Sequence, residues 1–145
     1  MSVSVRVGPT AMRCLVLTAC LLAAGCGKPA LAPRDVFEAV FRHRLQKYAP
    51  DVTAYLSVDG KDPPAELLDR LREDWPNLKP ASADPKRMGL HVYASDLRWV
   101  GVAAVTKAGY WFRTEFAGEG YFADHHVVLN GGRWVVEKAT SETIS

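Results

Sequence analysis

The side chains of this 145-residue chain best suited to proton transfer or metal binding are four histidines, His43, His91, His125 and His126, together with Asp124. A histidine beside a carboxylate is the smallest general-base unit, and one of the late pair can form such a unit with Asp124 or with His91 across strands. His125 and His126 are neighbours, and neighbours on a strand point to opposite faces, so they do not readily share one metal ion. No spacing of Cys, His, Asp or Glu matches a ligand motif. Tyr55, Tyr93, Tyr110 and Tyr121 can supply hydroxyls to an acid such as Asp124, but tyrosine is also what half-buried strands prefer. No catalytic residue, metal ligand or cofactor is therefore expected. In the run Tyr110, Trp111, Phe112 alternation puts Tyr110 and Phe112 on one face and Trp111 on the other, so one large ring is expected to be wet or covered by a partner. Glu115, Gly118, Glu119 and Gly120 read as a bend or bulge; a phosphate loop would need a helix start after it and no repelling glutamates.

These residues must be positioned by the elements around them. Asp35 reads as a helix N-cap, with Glu38 three residues on completing a capping box. Phe37, Val40, Phe41, Leu45 and Tyr48 then recur at spacings of three and four, predicting a helix with one apolar stripe. On that helix Arg42, Arg44 and Lys47 are expected to face water, and Pro50 to end it. Residues 53–58 alternate as a strand, turned by Asp59 and Gly60. Asp62, with Pro63 and Pro64 after it, predicts a short second helix carrying Leu67, Leu68 and Leu71 and stopped by Pro76. Residues 76–88 are polar and proline-bearing and read as a loop. Strands are expected over 91–95, 98–106, 110–117, 121–129 and 133–139. The second and third of these are joined at Lys107, Ala108 and Gly109, while Asn130, Gly131 and Gly132 form the strongest hairpin signal.

Residues 14–26, CLVLTACLLAAGC, resemble the apolar core and cleavage box of a bacterial lipoprotein signal peptide, the box being Leu22, Ala23, Ala24, Gly25 and Cys26. About a dozen apolar residues is shorter than the roughly 20 of a permanent span and suits a secretory segment. The resemblance implies removal of residues 1–25 and attachment of lipid to Cys26. Cys20 also ends a box-like sequence, Leu17, Thr18, Ala19, but would leave too few apolar residues after Arg13. Met12 followed by Arg13 is the more usual start for such a segment, so translation is expected to begin there. Gly27 in place of aspartate implies, by the same resemblance, the outer membrane, with the protein facing the periplasm.

Residues 26–34, holding Pro29 and Pro33, then read as a tether, and 35–145 as a single domain. Arg6 and Arg13 are the only charged residues before Cys26, so the mature chain carries 16 basic and 16 acidic residues. A neutral domain without basic clusters argues against nucleic acid. Cys14 and Cys20 leave with the signal peptide, so neither an internal disulfide nor a cysteine-held zinc is expected.

The order helix, strand, short helix, then antiparallel strands is similar to the cystatin-like and nuclear-transport-factor-2-like superfamily. More narrowly, residues 55–71, YLSVDGKDPPAELLDRL, and the closing stretch from Glu119, Gly120 and Tyr121 to Gly132, Arg133, Trp134, Val135 and Val136 resemble a group of bacterial exported proteins. The resemblance implies an α+β fold, with the N-terminal helix packed on a curled antiparallel sheet of about five to six strands and a short second helix after the first strand. Asp124, His125 and His126 depart from that group's β-forming stretch, and the register of the strand hinges on them. The superfamily spans isomerases, dehydratases, ligand carriers and protein-binding modules, so the fold does not name an activity. The expected function is a membrane-anchored binding or interaction module of the cell envelope, working without catalysis. The alternative is a small-ligand carrier or enzyme using a cavity between helix and sheet. Its partners would be the membrane, through the anchor, and a protein or a small apolar ligand. Homodimerisation through the open sheet face is common in that architecture.

Overall fold

A computed structural model of the chain describes residues 32–144, in the order α1 (Pro33–Leu45), β1 (Ala54–Val58), α2 (Ala65–Arg72), β2 (Leu78–Pro80), a 3-10 turn (Ala81–Ala83), β3 (Gly89–Val100), β4 (Ala103–Arg113), β5 (Gly118–Asn130) and β6 (Arg133–Ile144). The fold is α+β: two helices and one open six-stranded sheet with strand order β2-β1-β3-β4-β5-β6. The expected signal peptide, Cys26 and most of the tether lie outside the described residues.

The sheet is mixed, which corrects the antiparallel expectation. Strands β3 to β6 form an antiparallel meander, but β1 runs parallel to both β2 and β3. The cause is α2. A helix between two strands carries the chain back to the end it left, so the next strand enters parallel. The strand that follows, β2, lies inside the stretch expected to be a loop; it is three residues long and ends on Pro80, which an edge strand tolerates.

Helix α1 starts two residues before Asp35. Pro33 sits in the first turn, where its missing N–H leaves no bond unmade, and Ala32 occupies the cap without a side-chain bond. Asp35 and Glu38 are not a capping box: both accept from Arg70 of α2, at 3.4 and 2.7 Å. Asp62 likewise caps no helix, since α2 begins after Pro64, and it instead takes the Ser82 N–H and hydroxyl at 2.8 and 2.6 Å. Helix α1 ends at Leu45, before Pro50 is reached.

The core forms where α1 lies on the sheet. Val36, Phe37, Val40, Phe41 and Leu45 are buried with Leu56, Leu90 and Val92, and α2 adds Leu67, Leu68 and Leu71. On the inner face Ala94, Ala108 and Ala123 are register partners across three strands and all are buried. This row of small side chains lets the large rings of α1 approach the sheet closely.

The strands differ from expectation in their turns. What reads as a strand break between 95 and 98 is a bulge within the single strand β3, where Asp96 has φ 55° and Thr106 of β4 donates to the Ser95 carbonyl at 2.6 Å; the expected strand 98–106 is divided between β3 and β4. The following turn is at Gly101 (φ 62°), so residues 107–109 are mid-strand. A Cβ at Gly109 would come within 1.8 Å of the Tyr121 carbonyl, so glycine here serves a close backbone approach. The Asn130 hairpin is as expected: Asn130 faces Arg133, with Gly131 and Gly132 both at positive φ. No bulge interrupts β4 against β5, whose register runs from Ala104 opposite Val127 to Arg113 opposite Gly118. The strand irregularity falls instead between His126 and Val127, in the β5–β6 register.

Candidate functional site

The apolar stripe of α1 continues past the core. Arg44 lies three residues after Phe41 and four before Tyr48, so helical spacing puts it on the inward face. It is 3 % exposed, which corrects its assignment to the water-facing side. Arg42 and Lys47 behave differently. Arg42 bonds Glu38 at 3.0 Å and reaches Asp74 of α2, while Lys47 is exposed.

Arg44 ends at the tyrosines of β4 and β5. Tyr110 and Tyr121 are register partners with rings stacked 6.0 Å apart, and the guanidinium carbon lies 4.6 Å from the Tyr121 ring centre and 5.8 Å from that of Tyr110. Its Nε is sealed from solvent and has no hydrogen-bond partner. Among the described residues no carboxylate comes within ion-pairing distance of it. Two features offset part of the burial of this charge: the ring faces, and the free carbonyls of the last turn of α1, which favour cations.

Around Arg44 the helix and sheet part into a cleft of about 810 Å³, walled by Arg44, Lys47, Tyr48, Val52, Leu90, Phe112 and the two tyrosines, with Glu119 on its rim. Burial pushes the Tyr48 phenol up, against the pull of Arg44, so it stays a hydroxyl donor at neutral pH. The exposed wall is mainly apolar and aromatic, with Arg44, Lys47 and Glu119 as its basic and acidic side chains. Phe37 and Phe41, earlier on the same stripe, are packed into the core and do not line the cleft.

The histidines and Asp124 are not brought together. His91 pairs with Asp84 at 2.9 Å and stacks on Tyr55, fastening the 84–89 segment to the sheet. Asp124 lies on the outer face opposite Lys107, in a shallow depression with Asp96 and Arg98. His126 is exposed, and His125, as alternation requires, is turned inward and fully buried. The His125 Nδ1–H donates to the Ala123 carbonyl at 3.0 Å, leaving Nε2 without a partner, and the ring meets His43 edge-on at 5.6 Å. Burial holds the His125 pKa down, at about 4, so the ring is neutral in the folded protein. None of these groups lines the cleft. Among the described residues no three His, Cys, Asp or Glu side chains converge as a metal site.

Trp111 is 40 % exposed on the outer face and lies over the neighbouring strand's glycines: a Cβ on Gly120 would meet its ring at 2.5 Å and one on Gly118 at 3.0 Å. Gly118 and Gly120, read as a bend, are thus the bed of this ring. Arg44 is the candidate site residue that sequence reasoning missed. The available signal was a charged residue on an apolar stripe, bracketed by Phe41 and Tyr48. No helix among the described residues is long and apolar enough to cross a membrane. The chain matches no protein-family model, and comparison with curated proteins and with solved structures finds no similar protein.

Proposed function

We propose that this chain is a lipid-anchored binding protein of the bacterial cell envelope, whose cystatin-like domain holds a small organic ligand in the cleft between the C-terminal end of α1 and the sheet. The observation that carries this reading is the cleft: about 810 Å³, lined by aromatic and aliphatic side chains with a buried arginine in its wall. Ligand sites of roughly 300–1,000 Å³ with such walls and a few convergent polar groups are the general pattern. This puts the small-ligand alternative ahead of a protein-docking role. The helix laid on an antiparallel meander supports the cystatin-like label, with β1, α2 and β2 as a parallel extension. The anchor at Cys26 and the outer-membrane location rest on the lipobox and on Gly27. Several acyl chains hold such a protein lastingly, where one would hold it only marginally.

The reading favours binding over catalysis: among the described residues the one half-buried histidine–carboxylate pair, His91–Asp84, is tied up in fastening the 84–89 segment, whose Met88 and Gly89 border the cleft, and neither member of the pair lines it. Native mass spectrometry of the full chain, extracted from envelope membranes in mild detergent, tests it. The expected result is a retained mass of a few hundred daltons, lost on denaturation; polypeptide and acyl anchor alone in repeated preparations would count against it.

A further inference from the structure

We infer that the cleft takes an organic monoanion, a carboxylic acid with a flat or apolar body, whose carboxylate meets the guanidinium of Arg44. This rests on the cleft being the binding site and adds the chemistry of what binds. A guanidinium cannot escape burial by shedding its proton as a lysine can, so a buried arginine without an acidic partner is a standing electrostatic deficit. At 3 % exposure, with Nε unpartnered and no carboxylate within reach among the described residues, Arg44 has that deficit. An incoming anion removes it.

The form of the site narrows the anion. The guanidinium carbon lies over the rings of Tyr121 and Tyr110, which supply no hydrogen-bond acceptor to it through their faces, and the fork of N–H donors on a guanidinium is the geometry a planar carboxylate fits. The basic and acidic side chains on the wall are Arg44, Lys47 and Glu119, a formal net charge of +1 that matches a monoanion. A phosphate dianion would leave one charge uncompensated beside Glu119. Tyr48 adds one hydroxyl donor. Val52, Leu90 and Phe112 continue the wall without charge, so the rest of the ligand is apolar or aromatic.

Three probes of one shape test this: 4-phenylbutyrate, its neutral amide 4-phenylbutanamide, and 4-phenylbutyl phosphate, each titrated calorimetrically into the full chain in detergent. The acid should bind at least about tenfold tighter than the amide, the worth of charge-assisted hydrogen bonds. In Arg44→Met, which roughly keeps the side-chain volume, that preference should vanish, the acid falling to the affinity of the amide or below it. Arg44→Gln serves as the second variant if the first does not fold, and the wild-type comparison needs neither. An amide that binds the wild type as tightly as the acid overturns the anion assignment and leaves the cleft as a binding site. A phosphate at least tenfold tighter than the acid overturns the monoanion. No binding by any probe overturns both the anion and the cleft.

Discussion

The two halves of the helix–sheet interface use the same helical spacing and hold opposite contents. In the first half Val36, Phe37, Val40 and Phe41 are buried against the sheet, with the alanine row beneath them. In the second half the stripe goes on through Arg44 and Tyr48, the tyrosines replace the alanines, and the surfaces part into the cleft. Between Phe41 and Arg44 there is less than one helical turn. Periodicity decides which way a residue faces, whereas the partner across the interface decides whether that face is filled or left open. A dry interface stabilises the fold; on the proposed function, an open one with a buried charge is the place where a ligand is held.

Matched truncations should separate the halves most widely. Phe41→Ala is expected to cost about 3–5 kcal/mol in chemical denaturation, because a fully buried ring leaves a cavity that the core cannot close. Phe112→Ala, at the cleft wall and 40 % exposed, should cost less than about 1 kcal/mol. Equal losses would mean that the cleft is as much core as the first half.

Acid should act on the filled half, through His125, which lies with Thr106 on the far side of the alanine row from the tyrosines. The folded pKa is lowered to about 4, mainly by burial, so below the unfolded value of 6.5 the unfolded chain takes up a proton that the folded one refuses. Stability is then flat above pH 6.5 and falls towards pH 4, by an amount on the order of 3 kcal/mol. His43 is lowered too, by burial and by Lys47 and Arg44, and adds to the same limb. Urea melts from pH 7 to pH 4 should show the slope in the wild type and most of it gone in His125→Leu. A slope unchanged by that substitution would assign the acid loss elsewhere.

The smallest effect should come from the polar clasp between α1 and α2. Glu38, 20 % exposed at its side chain, pairs with Arg42 at 3.0 Å and with Arg70 at 2.7 Å. Glu38→Gln is expected to lower stability by about 0.5–1 kcal/mol at low salt and by less at 1 M salt, as for partly exposed pairs. A larger, salt-independent loss would show that the clasp is as integral as Phe41.

Much of the architecture was legible because its signals are local. The α1 stripe, the β1 alternation and the Asn130-Gly131-Gly132 hairpin each depend on a few adjacent residues, and each is found in place. What was not legible depends on distant partners. Gly109 looks like a turn residue, yet its missing side chain serves the Tyr121 backbone across the sheet. Strand β2 has only Leu78 buried and ends in proline, so no pattern marks it. The Asp35 and Asp62 cap signals were genuine acceptors claimed by other donors, Arg70 and Ser82. Arg44 was assigned to water with Arg42 and Lys47 because charge was weighed above position. A cation on the apolar stripe, spaced four from Tyr48, was the one local sign of the cleft.

Whether that cation serves the fold or a ligand can be measured without knowing the ligand, by comparing the denaturation midpoints of the wild type and Arg44→Met at neutral pH with no ligand added. Losing a buried, unpaired charge removes a desolvation penalty, while losing the contact over Tyr121 gives up about 1 kcal/mol or somewhat more, part of which a methionine–aromatic contact restores. The account predicts a variant within about 1 kcal/mol of the wild type, or more stable than it. A loss above about 3 kcal/mol, the penalty for breaking a satisfied buried ion pair, would show that Arg44 already has its partner within the chain and would contradict the binding role given to the cleft.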